Sequence, residues 1–359
     1  MASGRKFMFL FNKKMLAISL TGLLILCAAC NRNFSIQESE NNGSINNEVA
    51  VNNAKIPEVN DDIAPYDDEK IEIKLGLVKN SASVLGAVHL FINSEDNSAY
   101  EKYTPIVYNS YDELYEDFNN GEIAIAVLPP DKAAQCYTNV NCYVTAVTGG
   151  SNYYIAEKGN TVNDITDLNG KTITLSKEDT MAESVLNIIA ESNNISVEYN
   201  RVDNNAQLIS GLKDCSIDFA IIQEPYLSQV TGDNIRSALD LYDFWMDAVK
   251  EELVTSCLIV NKNFVSEEAV PFQFFMKDYA ASASMAKRNT EETAKGANKF
   301  ALIDDVNASK AAIPGCGIMF KTGSEMKNML AAFYKNVADN NAYIIGGYVP
   351  DDDFYFIKE

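Results

Sequence analysis

The chain carries a single histidine, His89. Nucleophilic catalysis of the Ser-His-Asp kind would rest on that residue alone, and an imidazole-rich metal site is excluded. The sequence has no GxSxG, HExxH, GxGxxG or phosphate-loop motif. Carboxylates are plentiful, with 50 acidic residues against 29 basic, but no spacing marks a general acid/base pair. Acids in such excess read as a solvated surface. Cys136, Cys142, Cys215, Cys257 and Cys316 lack the close pairs of a structural zinc site. Cys136 and Cys142 are near enough to close a short loop, but five small, buried, free thiols is the reading adopted. No catalytic residue, metal or cofactor is expected. A formal charge of -21 excludes nucleic acid as a partner, because phosphate binding needs basic patches. What remains is polar recognition by hydroxyls, amides, tyrosines and a few lysines.

Those side chains need a scaffold. Ile71 to Val78 alternates apolar and polar, as a strand does. Ser83 to Asn93 places Val84, Leu85, Val88, Phe91 and Ile92 on one helical face, with His89 beside it at the core edge or surface. Thr104 to Tyr108 reads as a strand. Ser110 and Glu113 form a capping box that opens a helix ending at Asn119-Asn120-Gly121. Ile123 to Leu128 is a fully apolar strand closed by Pro129-Pro130. The same order returns after residue 155. Lys171 to Leu175 is a strand, and Thr180 with Glu183 forms a second capping box before a helix lined by Met181, Val185, Ile188 and Ile189. Val197 to Val202 is a strand, Ala206 to Leu212 a helix, and Ile217 to Ile222 a buried strand closed by Glu224-Pro225. Apolar strands between helices mean a sheet covered on both faces, the α/β class. In the C-terminal third, Phe272, Phe275, Met276, Tyr279, Ala280 and Ala283 form one core stripe, and Met326, Met329, Leu330, Phe333, Tyr334 and Val337 another.

The N-terminus has Arg5, Lys6, Lys13 and Lys14, then an apolar run from Met15 to Leu26, then Cys27-Ala28-Ala29-Cys30. This is the layout of a secretory signal, and the run is shorter than the ~20 residues of a spanning helix. Cysteine after two alanines resembles the lipobox of bacterial lipoproteins. The match is partial, because Cys27 stands where Leu or Val is usual. Residues 1–30 are thus read as a signal peptide with Cys30 as the lipidated anchor. Residues 31–69, rich in Asn, Ser, Glu and Asp, read as a disordered tether.

Asp164-Ile165-Thr166-Asp167-Leu168-Asn169-Gly170-Lys171-Thr172-Ile173 resembles the segment that opens the second lobe of many ABC-transporter solute-binding proteins. Ile217 to Tyr226, with Asp218 and then Glu224-Pro225-Tyr226, resembles a segment of the nitrate, sulfonate and taurine receptors and of the relatives that bind thiamine-pyrimidine precursors. Gly323-Ser324-Glu325-Met326-Lys327 and Pro350-Asp351-Asp352-Asp353-Phe354-Tyr355 resemble the tail of a lipoprotein subgroup of that family. The resemblance covers roughly residues 70–359. It implies a periplasmic-binding-protein type II fold: two lobes, each a helix-covered mixed sheet, joined by a two-segment hinge. Lobe 1 would take residues 70–153 and 258–359, with the C-terminal helices packed mainly on it. Lobe 2 would take residues 154–257.

In open α/β sheets, ligands bind beyond the carboxyl ends of the strands, where helix N-termini offer free N–H groups. In lobe 1 this rule selects Lys79, Asn80, Ser81 and Ser83, and Pro129 in the Leu128–Asp131 loop. In lobe 2 it selects Ser176 and Thr180 in the Ser176–Thr180 loop, and Gln223, Glu224 and Tyr226. The crossing segments add Asn152, Tyr153 and Ser256. Lys79 and Lys177 are the only basic residues in these loops, beside Asp131, Glu178, Asp179 and Glu224. The balance leans away from a bare inorganic anion and toward a zwitterion or an amine-bearing heterocycle such as an aminopyrimidine, with a sulfonate as the family's other class. Glu224 would accept from an amine, and Tyr153 or Tyr226 would stack. The expected protein is a monomeric, lipid-anchored extracytoplasmic receptor that closes on its solute and engages the permease subunits of an importer. The rivals are a pyrimidine-synthase-like enzyme that consumes its own histidine, and a sensor or adhesion lipoprotein without an importer.

Overall fold

The computed structural model describes residues 69–357, apart from Asp233. The signal, the Cys30 anchor and the tether lie outside the described residues, except for Glu69. The first unit runs β1 (Glu72–Val78), α1 (Val88–Glu95), β2 (Lys102–Tyr108), α2 (Tyr111–Asn119), β3 (Ile125–Leu128), α3 (Pro130–Asn139) and β4 (Cys142–Gly149). The second runs β5 (Tyr153–Lys158), β6 (Thr172–Ser176), α4 (Ala182–Ser192), β7 (Glu198–Val202), α5 (Asn205–Lys213), β8 (Phe219–Gln223), α6 (Tyr226–Val230), β9 (Ile235–Asp240) and α7 (Tyr242–Val249). The chain then returns through β10 (Ser256–Asn261), α8 (Lys262–Glu267), α9 (Ala269–Arg288), α10 (Thr290–Lys299), α11 (Val306–Ala312), β11 (Ile318–Lys321) and α12 (Gly323–Asn341).

Two mixed sheets result, ordered β11-β4-β10-β3-β1-β2 and β7-β6-β8-β5-β9. Both are built alike. β1 lies between β2 and β3, and β6 between β7 and β8, each trio parallel; an antiparallel strand covers the third, β10 on β3 and β5 on β8. The shared strand-helix order in the sequence is therefore a shared topology, in the two-lobe fold that the resemblance implies. The chain crosses between sheets at residues 150–152 and returns at residues 250–255. β3 is buried at every position, as its unbroken apolar run predicts. Ser110 caps α2 by accepting the amide of Glu113 at 3.2 Å. The first helix departs from its expected span: Ala82–Ala87 is a 3-10 turn, and α-helix begins only at Val88.

The core has three parts. One lies between the first sheet and the 3-10 turn, α1, α9 and α10, around Leu75, Phe91, Leu258 and Phe275. A smaller one lies under α5 and α6, around Leu212, Ile222 and Leu227. The third runs without a break from Leu128 and Val144 of the first sheet through Phe333 and Leu330 of α12 to Val185 of α4 and Trp245 of α7. The C-terminal helices are thus not all lobe 1 elements. α9 and α10 pack on the first lobe, whereas α12 also packs on α4 and α7, and α11 packs on α6. Both expected apolar stripes turn inward: Phe272, Phe275, Tyr279 and Ala283 are buried, as are Met326, Met329, Leu330, Phe333, Tyr334 and Val337.

Candidate ligand-binding cleft

A cavity of about 300 Å³ lies between the two sheets at the carboxyl ends of their strands. The first lobe contributes Lys79 after β1, Tyr111 and Asp112 at the start of α2, Pro129 and Lys132 at the start of α3, and Thr255. The second contributes Tyr153 at the start of β5, the Ser176–Met181 loop, Asp203 and Asn205 before α5, Gln223 at the end of β8, and Tyr226 at the start of α6. Helix N-termini from both sheets therefore face one space, the arrangement that suits polar recognition.

The residues selected from sequence divide. Lys79, Ser81, Pro129, Tyr153, Ser176, Thr180, Gln223 and Tyr226 line the cavity. Ser83 stands one layer back, its hydroxyl 2.8 Å from that of Ser81, and both lie against the Tyr111 hydroxyl. Asn80 faces outward in a left-handed turn (φ 59) and pairs with Asp304 at 3.1 Å, on a shallower adjoining pocket. Asn152 is buried and clamps the backbone of Glu224, accepting from its N–H at 2.8 Å and donating to its carbonyl at 3.3 Å. Glu224 points away from the cavity and accepts from the Ser228 amide and hydroxyl, each at 2.9 Å. Ser256 meets the Thr148 hydroxyl at 2.9 Å inside the crossing. These last three hold the walls in place; the amine contact expected of Glu224 has no geometry here.

Thr180 corrects an expectation. It does not cap α4; its hydroxyl donates across the cleft to the buried Asp131 carboxylate at 2.5 Å. Asp179 does the capping, accepting from the Met181 and Ala182 amides at 3.2 and 3.0 Å, and it also accepts the Tyr153 hydroxyl at 2.8 Å. Burial lifts the Asp179 carboxyl from 3.8 to about 6, against those hydrogen bonds. Burial raises Asp131 too, against the Thr180 hydroxyl and the nearby Lys132 charge. The lysines are committed elsewhere: Lys79 to Asp304 at 2.7 Å, Lys132 to Asp112 at 2.6 Å and Lys177 to Asp203 at 2.6 Å.

Tyr111, Lys132, Asp203 and Asn205 were not selected from sequence. Tyr111 and Asn205 open the helices that follow β2 and β7, so the strand-end rule applied to those strands would have found them. His89 is fully buried between α1 and α10, Nε2 at 2.9 Å from the Thr293 hydroxyl, and does not reach the cavity. Cys136, Cys142, Cys215, Cys257 and Cys316 are free thiols; Cys215 alone of them is exposed. Among the described residues no group of three or more His, Cys, Asp or Glu could hold a metal.

Residues 137–293 match the family model described as NMT1/THI5 like. None of the curated proteins matches the chain. Among solved structures, an ABC transporter protein from Parabacteroides distasonis is 17% identical with a TM-score of 0.67, covering 80% of this chain and 99% of that one. The periplasmic aliphatic sulphonate-binding protein SsuA of Escherichia coli is 14% identical with a TM-score of 0.61, covering 80% and 94%. The periplasmic nitrate-binding protein NrtA of Synechocystis is 13% identical with a TM-score of 0.52, covering 72% and 75%. At these identities the structures speak for the fold. The chain has the two-lobe periplasmic-binding-protein fold of these structures.

Proposed function

We propose that this chain is the extracytoplasmic solute receptor of an ABC importer, anchored through Cys30 and closing its lobes on a small polar organic molecule. One observation carries the reading: a cavity of about 300 Å³ walled by strand-end loops of both sheets. A solute there touches both lobes at once, so it favours the closed state and gives permease subunits something to read. The volume suits a small molecule. The place of His89 in the core supports a receptor over a synthase that would spend a histidine in its pocket. The solute is a zwitterion or an amine-bearing heterocycle such as an aminopyrimidine; a sulfonate is the alternative that likeness to SsuA suggests.

The test is retention. Purified protein is incubated with a microbial small-molecule extract, washed and denatured, and the released solute is weighed by mass spectrometry. One unaltered small solute, bound one to one and raising the melting temperature, is expected. At a hundredfold excess over Kd such a solute stabilises by about 2.7 kcal/mol. Chemical conversion of the solute, or retention of none, would overturn the receptor reading.

A further inference from the structure

We infer that the solute carries a net positive charge, seated on Glu178 and Asp179 of the second lobe, beside Tyr111, Tyr153 and Tyr226. The inference rests on the receptor reading and narrows its ligand to the amine-bearing class in its protonated form, setting the zwitterion and the sulfonate aside. The first ground is the fate of the lysines. Each of the three that line the cavity already meets a carboxylate within 2.7 Å, so the cavity presents no uncompensated lysine charge. The second is the acids that remain. Glu178 receives only the neutral amides of Asn205, and Asp179 only a tyrosine hydroxyl and two backbone N–H groups. Asp131 lies behind the cavity wall, 1% exposed; one of its oxygens accepts the Thr180 hydroxyl, the other has no hydrogen-bond partner, and its charge acts on the cavity through Asp179. A buried carboxylate left in that condition is costly unless a proton or a cation meets it.

The third ground is the aromatic lining. Tyrosine faces attract cations through the ring quadrupole, most strongly when desolvated, and Tyr111, Tyr153 and Tyr226 come from both lobes. Glu178 and Asp179 on one wall and Tyr111 on the other give a cation contacts that only closure completes. Asp131 lies near enough to raise the pKa of Asp179. A positive group against Asp179 offsets that repulsion.

The test separates solutes by charge. A microbial extract is split at pH 7 into solutes held by a cation exchanger, solutes held by an anion exchanger, and the unretained neutral and zwitterionic remainder. Each fraction is added to the full-length protein in a thermal-shift assay. The cation-exchanger fraction alone should raise the melting temperature. A shift confined to either other fraction overturns the positive charge and leaves the receptor reading standing; a shift with no fraction overturns both. Asp179→Asn and Glu178→Gln, each nearly isosteric, should weaken binding of the active fraction at least tenfold. A folded variant that binds as tightly as the parent removes that residue from the assignment. Should one variant fold poorly, the other tests the pair.

Discussion

At the scale of single residues, Asp179 joins three tasks: it caps α4, holds the Tyr153 hydroxyl and faces the cavity. Its titration should be measurable. Tyr153, Asp131, Tyr111 and Tyr226 are the ionisable groups set against it, and none is a cation. The folded pKa is raised from 3.8 to about 6. Between these values the native state keeps a proton that the unfolded chain has released, so stability falls as pH rises through the window and is level above it. Partial burial limits the effect to about 2 kcal/mol. Asp179→Asn retains an acceptor for the cap but has no charge to bury. Its stability relative to the parent should therefore drop by about 2 kcal/mol on going from pH 7 to pH 4.5, read from urea melts; a pH-independent difference would refute the buried charge. Binding of a cation should move oppositely, weakening as pH falls below about 6 because protonation removes its partner. Thr180→Val tests the neighbouring contact. It strips the one hydrogen bond given to the Asp131 carboxylate and should cost about 1–3 kcal/mol, whereas a merely capping threonine would cost less.

At the scale of elements, the crossing between sheets is where small residues matter. Gly317 sits at φ +58, and a Cβ there would stand 2.5 Å from the Ser151 carbonyl oxygen and 2.7 Å from that of Gly150. Its own carbonyl accepts the Gly150 N–H at 2.8 Å. Gly323, at φ +59 with nothing near its missing Cβ, isolates the backbone strain alone. Gly323→Ala should cost about 1 kcal/mol, and Gly317→Ala clearly more; equal losses would show that the crossing tolerates separation. The sequence made the repeated unit legible because buried strands such as β3, with no polar position, and caps such as Ser110 are local signals. The cleft was legible as far as the strand-end rule reaches: Lys79, Pro129, Thr180 and Gln223 all line it. What stayed hidden depends on contacts between lobes. Thr180 looks like a cap because Glu183 follows at capping-box spacing, and only the tertiary arrangement brings Asp131 within reach. Glu224 looks like a ligand group until Ser228 is seen to take both its oxygens. The missing cap was equally local, since Asp179 is a capping residue one position earlier.

At the scale of the whole molecule, the lobes are not joined by the crossings alone. The core that runs from Val144 through Phe333 to Val185 and Trp245 binds them along α12, α4 and α7. Parting them there would expose core, at roughly 25 cal/mol for each Å² of apolar surface. The opposite side is built differently: there the lobes meet through α11 on α6, beside a polar rim of Lys79, Asn109, Glu178, Asn205 and Tyr226 shared with a shallow outer pocket. Opening should therefore occur at that rim, with α12 and α7 as its fixed side. Trp245 is a natural reporter, because it is the one tryptophan of the chain, is fully buried, lies 5.8 Å from the Phe333 ring and donates to the Glu251 carbonyl at 3.1 Å. Its emission should stay constant when solute binds. A fluorophore on Asn205→Cys, placed at the rim in a Cys215→Ser background, should change in the same titration. A shift of several nanometres at Trp245 with none at the rim would reverse the assignment and put the moving side at α12. Phe333→Ala closes the argument: by cutting a cavity of the kind that costs about 3–5 kcal/mol into the fixed side, it should lower stability and make Trp245 responsive to solute for the first time.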